Sequence, residues 1–295
     1  MALTDVPTLK IFLGITDGSQ DGLLAQLVAA ADAVVKNYSK RDLELAVYEE
    51  YLDGSGVNAL VLRQRPVRTT ILAGTTTNGS PIVTGLSSTA ALLVGQAVVG
   101  TGVPVGAKIL TVDSASQVTL TVNATASGSK ALLFGLAVWL DGGGYYGDGV
   151  GAFSAGTLLV PGRDYVLKRD KGAIGESGLL VRLAGGIVNG DVWSYPWPGL
   201  GRGTLTASAP PVWPQGLGNV KVQYTAGYSP VPADLIDATN QVAAWIKRCG
   251  PQGGPLTAET IGRYSYQIGA GGGDGGAPEL ASIRATLSRY REIAA

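Results

Sequence analysis

The spacing of apolar residues changes twice along this chain, and those two changes bound the folds open to it. Up to Tyr38, Leu23, Leu27, Ala31, Val34, Val35 and Tyr38 recur at helical spacing and define one stripe. From Leu45 the period becomes two, with Val47, Glu49 and Tyr51 alternating against Tyr48, Glu50 and Leu52. Helical spacing returns after Pro230. Leu235, Ala238, Val242, Trp245 and Ile246 make one face, and Leu280, Ile283, Leu287 and Tyr290 make another. A chain that is helical at both ends and alternating between them is α+β. The expectation is terminal helices packed together, the Leu23–Tyr38 stripe on the Leu235–Ile246 face, with an antiparallel β region between them.

Turn and cap residues divide the chain further. Thr4 and Asp5 can cap a first helix and Gly14 can end it. Asp53-Gly54-Ser55-Gly56 predicts a turn, with Leu60-Val61-Leu62 returning as a hairpin strand. Asn219 to Tyr224 is an alternating strand, and Pro230 to Asp234 opens a helix that Gly250-Pro251 stops. Residues 75–133 stand apart, rich in Thr, Ser, Ala, Val and Gly, with Lys108, Asp113 and Lys130 as their only charges. Short strands between Gly-containing turns predict an inserted small all-β domain there. The core is then residues 1–74 and 134–295.

Composition narrows the function. The chain has no His, so the commonest general base and the usual metal ligand are missing. Its one Cys, Cys249, allows no intrachain disulfide and no Cys-based zinc site. It has no base beside it and reads as a small packed residue. Lys+Arg and Asp+Glu are 22 each, against the basic excess that a general nucleic-acid binder needs to displace counterions. Neutrality also lowers self-repulsion between copies. The apolar stretch near Ala90–Val105 is broken by Gly95, Gly100, Gly102 and Pro104, so no run reaches the ~20 residues of a membrane span. No signal peptide is evident at the N-terminus. The expectation is a non-enzyme with no cofactor and no metal.

Several segments invite sharper readings. Arg63, Arg65 and Arg68 could contact phosphate or an acidic surface; the plainer reading is a solvated strand end with Pro66 guarding the edge. The loop Asp141–Gly149 carries Tyr145 and Tyr146, which could stack on a sugar or a protein partner. Asp141 and Asp148 alone rarely hold Ca²⁺, and a Gly-rich loop is a poor scaffold for paired catalytic carboxylates. Trp193, Trp197 and Trp213, interleaved with prolines, suit polyproline-type or sugar-face binding, or surface loops folded over a β-core by large rings. Glycines from Gly269 to Gly276 form a tether before the last helix.

Four segments in order carry a family resemblance. They are Leu9-Lys10-Ile11-Phe12-Leu13-Gly14-Ile15 with the Asp21–Tyr38 helix; Tyr51-Leu52-Asp53-Gly54 leading to Leu62-Arg63-Gln64-Arg65-Pro66-Val67; Val222-Gln223-Tyr224-Thr225-Ala226-Gly227-Tyr228 through Pro232-Ala233-Asp234-Leu235; and Glu259-Thr260-Ile261-Gly262-Arg263-Tyr264-Ser265-Tyr266 ahead of a helix containing Arg289-Tyr290-Arg291. Together they resemble the head–tail connector (adaptor) proteins of long-tailed bacteriophages. Residues 75–133 and the long region Trp139–Trp213 depart from that pattern.

The resemblance implies a structural virion subunit of the neck, made in the host cytoplasm. It would form a homo-oligomeric ring, dodecameric like the portal above it. Its partners would be the portal protein, a tail-side stopper or tail terminator protein, and non-specific double-stranded DNA passing through the lumen. In that family the C-terminal segment grips the portal, which points to Leu280, Ile283, Arg284, Leu287, Arg289, Tyr290 and Arg291. Arg63, Arg65, Arg68, Tyr145 and Tyr146 would form a secondary interface. The plainer reading of the last helix is that it folds back on its own subunit. The competing function is a carbohydrate-binding or tail-tip structural protein.

Overall fold

A computed structural model describes residues 2–140, 156–169, 176–183, 211–249, 258–261, 264–267 and 278–291. The elements run α1 (Val6–Leu13), α2 (Asp21–Ser39), β1 (Ala46–Gly54), β2 (Ala59–Val61), β3 (Thr70–Thr76), β4 (Ile82–Thr84), β5 (Val98–Val99), β6 (Ile109–Ser114), β7 (Gln117–Leu120), β8 (Gly128–Phe134), β9 (Leu136–Leu140), β10 (Thr157–Leu158), β11 (Tyr165–Arg169), β12 (Glu176–Arg182), β13 (Gly216–Ala226), α3 (Ala233–Cys249), β14 (Ala258–Ile261), β15 (Tyr264–Gln267) and α4 (Pro278–Ser288). The chain is mixed α+β with antiparallel sheets. It divides into one unit built from both ends, Met1–Glu44 with Tyr228–Ala295, and a second unit, Leu45–Gly227.

In the first unit, the Asp5 carboxylate accepts from Thr8 N–H at 2.8 Å and so caps α1. Gly14 ends α1 at φ 68°, where a residue with no Cβ is unstrained. Thr4 does not cap. Its hydroxyl donates to Asn240 Oδ1 at 2.8 Å, tying the N-terminus to α3. On α2 the buried row is Leu24, Leu27, Val28, Ala31 and Val35. This corrects the expected stripe, because Leu23 is 49% exposed and Val34 48%. The neighbouring pairs Leu23-Leu24, Leu27-Val28 and Val34-Val35 fit two rows about 100° apart, and the period alone does not choose between them. The α2 row shares one core with Leu235, Ala238, Val242 and Ala243 of α3 and with Ile283, Leu287 and Tyr290 at the C-terminal end. Each such Leu or Ile contributes roughly 1.5–3 kcal/mol by leaving water, less the entropy of ordering it.

In the second unit, β1, β13, β9 and β10 form one antiparallel sheet in that order. The partner of β1 is not the expected hairpin strand. Ala46–Leu52 pair with Ala226–Val220, far along the chain, while β2 pairs with β12 in the sheet β11-β12-β2. After β1 the chain turns out of the sheet, held by Asp53 Oδ1 accepting Gly218 N–H at 2.6 Å and by Gly56 N–H donating to the Trp213 carbonyl at 3.0 Å. A side chain at Gly54 would overlap the Pro214 carbonyl. One core joins Leu60, Leu62, Val138, Leu140, Tyr165, Leu180, Val222 and Tyr224.

The β3–β8 stretch forms its own six-stranded antiparallel sheet, ordered β5-β8-β3-β4-β7-β6. Its core includes Val83, Leu86, Val98, Ile109, Val118, Leu120, Leu132 and Phe134. The sheet runs from Thr70 to Phe134, so boundaries at 75 and 133 cut through β3 and β8. A small further cluster of Ala97, Ala137 and Trp139, with Val99 and Leu158 packed on it, joins this sheet to the face of β9 opposite Val138. No helix among the described residues is long and apolar enough to cross a membrane.

Candidate interaction surfaces

The C-terminal row was expected to stand free. Instead Ile283, Leu287 and Tyr290 are buried in the core of their own unit. Polar contacts fix the same end. The Tyr290 hydroxyl donates to Asp234 Oδ1 at 2.6 Å, and the Tyr290 carbonyl accepts from Arg41 Nε at 2.7 Å. The Tyr290 ring meets Tyr228 edge-on, centroids 5.7 Å apart, and the Arg291 guanidinium lies 5.9 Å from the centre of the Tyr38 ring. Burial, helped by the bond to Asp234, pushes the Tyr290 hydroxyl pKa well above its ordinary value. The physical reason for the correction is the α2–α3 groove, which offers these three side chains an apolar site without a partner protein. Arg284, Arg289 and Arg291 remain on the outside. Leu280 belongs to α4, and its side chain lies outside the described set.

The three arginines at 63–68 do not form one patch. Arg63 is exposed, and its N–H donates to Glu50 Oε2 at 3.2 Å. The Arg65 stem packs where a Cβ on Gly178 would stand, so Gly178, at φ +73°, is required twice over. The Arg68 guanidinium donates to the Gly227 carbonyl at 3.4 Å. Tyr145, Tyr146, Asp141, Asp148, Trp193 and Trp197 lie outside the described residues. Trp213 is fully buried, with the Arg182 guanidinium 5.5 Å from its ring centre, so it serves as core and not as a sugar platform. That corrects the part of the carbohydrate reading that rested on Trp213.

Three polar constellations were not singled out from the sequence. The Tyr224 hydroxyl sits between Glu50 Oε1, to which it donates at 2.5 Å, and Gln64 N–H, from which it accepts at 3.0 Å. Burial first, and the Glu50 carboxylate second, raise its pKa. Glu49 gathers Lys221 at 2.9 Å, the Tyr51 hydroxyl at 3.1 Å and the Gln223 amide on the opposite face of β1 and β13. Burial opposes its charge, but those bonds outweigh it and hold Glu49 below the usual carboxylate range. The Lys221 ammonium also lies over the Tyr51 and Trp139 rings, at 5.4 and 5.7 Å.

The third constellation centres on Asp164, which is fully buried. It accepts from Val160 N–H at 2.7 Å and from Arg163 Nε and an Arg163 terminal nitrogen at 3.0 and 2.9 Å. Its own carbonyl accepts from Arg182 at 3.1 Å. Burial opposes the charge; the bonds from Arg163 and Val160 prevail and lower the pKa. The signal for this hub was the Gly162-Arg163-Asp164 turn before an alternating strand, but nothing local reveals Arg182. In all three constellations the carboxylates are already engaged by neighbours, an arrangement that braces a β framework. Against protein-family models and curated proteins, the chain has no match.

Proposed function

We propose that this chain is a structural virion protein, the head–tail connector subunit of a tailed bacteriophage or phage-like particle, with no catalytic turnover. The reading is carried by the order of the four resembling segments. The first and last of them fall on the two ends that build the helical unit; the second runs from the end of β1 to just past β2, and the third leads out of β13 into α3. In this reading the packed terminal helices belong to the ring body, and the Thr70–Phe134 sheet is an inserted domain. The ring bridges capsid to tail beneath the portal, joins a stopper or terminator protein on the tail side, and passes non-specific double-stranded DNA. A neutral chain suits passage of DNA without base readout.

Burial of Ile283, Leu287 and Tyr290 moves the portal contact to the outward guanidinium groups, Arg284 and Arg289. The test is to mix purified chain with portal rings and image the product by electron microscopy. A ring of this chain stacked on the portal, lost in the Arg284→Glu, Arg289→Glu double variant, supports the reading. Failure to bind portal rings at any concentration overturns it.

A further inference from the structure

Between Gly22 and Asn37 the exposed residues of α2 carry no formal charge. They are Gly22, Leu23, Ala25, Gln26, Ala29, Ala30, Ala33, Val34 and Asn37; Asp21, exposed as well, stands at the N-terminal end of the helix. Each of the three charged residues of this helix is paired with another residue of the unit. Asp21 pairs with Lys10 at 2.8 Å, and Lys36 bridges Asp32 and Glu44, each at 2.9 Å. An ordinary solvent-facing helix alternates Lys, Arg, Glu and Asp along this face, at about 25–35% of surface positions. Here Leu23, Ala30 and Val34 fall within one narrow arc, and Leu23 and Val34 are each about half exposed. Gln26 and Asn37 lie beside that arc on the same face.

We infer that this face of α2 is where one copy of the chain meets another. Three observations select a second copy as the occupant. A face without charge offers no sign for an acidic or basic partner to read, whereas it meets a neutral copy with no like-charge repulsion. Its polar groups are amides, and each amide both donates and accepts, so two copies can satisfy one another. Small Ala residues between the larger ones permit helices to approach to roughly 8–10 Å. Area sets this contact against a standard one. The strip spans roughly 22 Å by 10 Å, well short of the about 800 Å² per partner in a standard stable interface. A single α2 contact is therefore weak, and a closed assembly gains its stability by making the contact at every subunit at once. The inference rests on the ring reading only for the number of copies.

The test uses full-length chain and a Leu23→Glu, Val34→Glu double variant. Both positions are half exposed, so the substitutions leave the core intact, and circular-dichroism melting checks that they do. Sedimentation velocity across a concentration series is the readout. The expected result is mass that rises with concentration for the parent chain, and association at least about tenfold weaker for a variant that melts unchanged. If the variant melts early, Ala30→Arg, a single exposed change, replaces it in the same assay. Association of a folded variant equal to the parent's overturns the α2 inference while leaving the ring reading open to a different surface. A parent chain that stays monomeric throughout overturns it as well. Association through α2 with no binding to portal rings upholds the inference and sinks the connector reading.

Discussion

The hydroxyl of Tyr290 donates to the carboxylate of Asp234, 2.6 Å away and 56 residues earlier in the chain. This bond pins the C-terminal end to the first turn of α3, beside a core that already holds Ile283 and Leu287. Tyr290→Phe keeps the ring and removes the bond, so it should cost about 1 kcal/mol. Truncation after Gly276 removes all three buried side chains, roughly 5–8 kcal/mol of burial, comparable with the whole stability of a domain. The truncated chain should melt far lower or aggregate, as followed by thermal circular dichroism. A truncated chain that melts like the parent would show that α4 contributes nothing to the core.

Leu23 and Leu24 are neighbours with opposite fates, and that difference sets the rotation of α2. Leu24→Ala should destabilise by about 2–5 kcal/mol, as for a fully buried leucine. Leu23→Ala should stay within about 0.5 kcal/mol. Equilibrium urea unfolding of both variants checks the pair; equal costs would place the rotation of α2 elsewhere.

Asp164 should make stability depend on acid. Its pKa is lowered on folding, so its contribution is fully present above the ordinary carboxylate value and is lost as pH falls through the lower folded value. Asp164→Asn should cost about 1–3 kcal/mol at neutral pH, discounted because Arg163 is largely exposed. The gap between parent and variant should narrow as pH drops below about 4. Melting temperatures between neutral and acid pH read this directly, and a gap that is constant with pH would refute it.

Gly135 lies against the Arg68 carbonyl, so the chain leaves for the six-stranded sheet and returns from it at nearly one point. Replacing Thr70–Phe134 by Gly-Ser should therefore close without strain. The remaining β1–β13–β9 ladder should persist, with melting lowered by a few degrees because Ala137 and Trp139 lose the cover of Ala97 and Val99. Loss of cooperative unfolding would show that this sheet belongs to the main core.

Much of the architecture was legible in the sequence because its signals are local. A change of period marked where helices give way to strands, Asp5 and Gly14 bounded α1, and the charge-poor Thr/Ser/Gly composition marked a separate sheet. Backbone sterics and capping act over a few residues, so a single sequence states them. The tertiary structure alone decided three matters. It chose Leu24 over Leu23, since two adjacent apolar rows satisfy the same period and only the shape of the opposing helices breaks the tie. It paired β1 with β13 and not with β2, since an alternating strand fits many partners until the whole sheet is assembled. And it buried Ile283, Leu287 and Tyr290 at home, because an apolar row at helical spacing states only that it needs a partner, not whether that partner is its own chain.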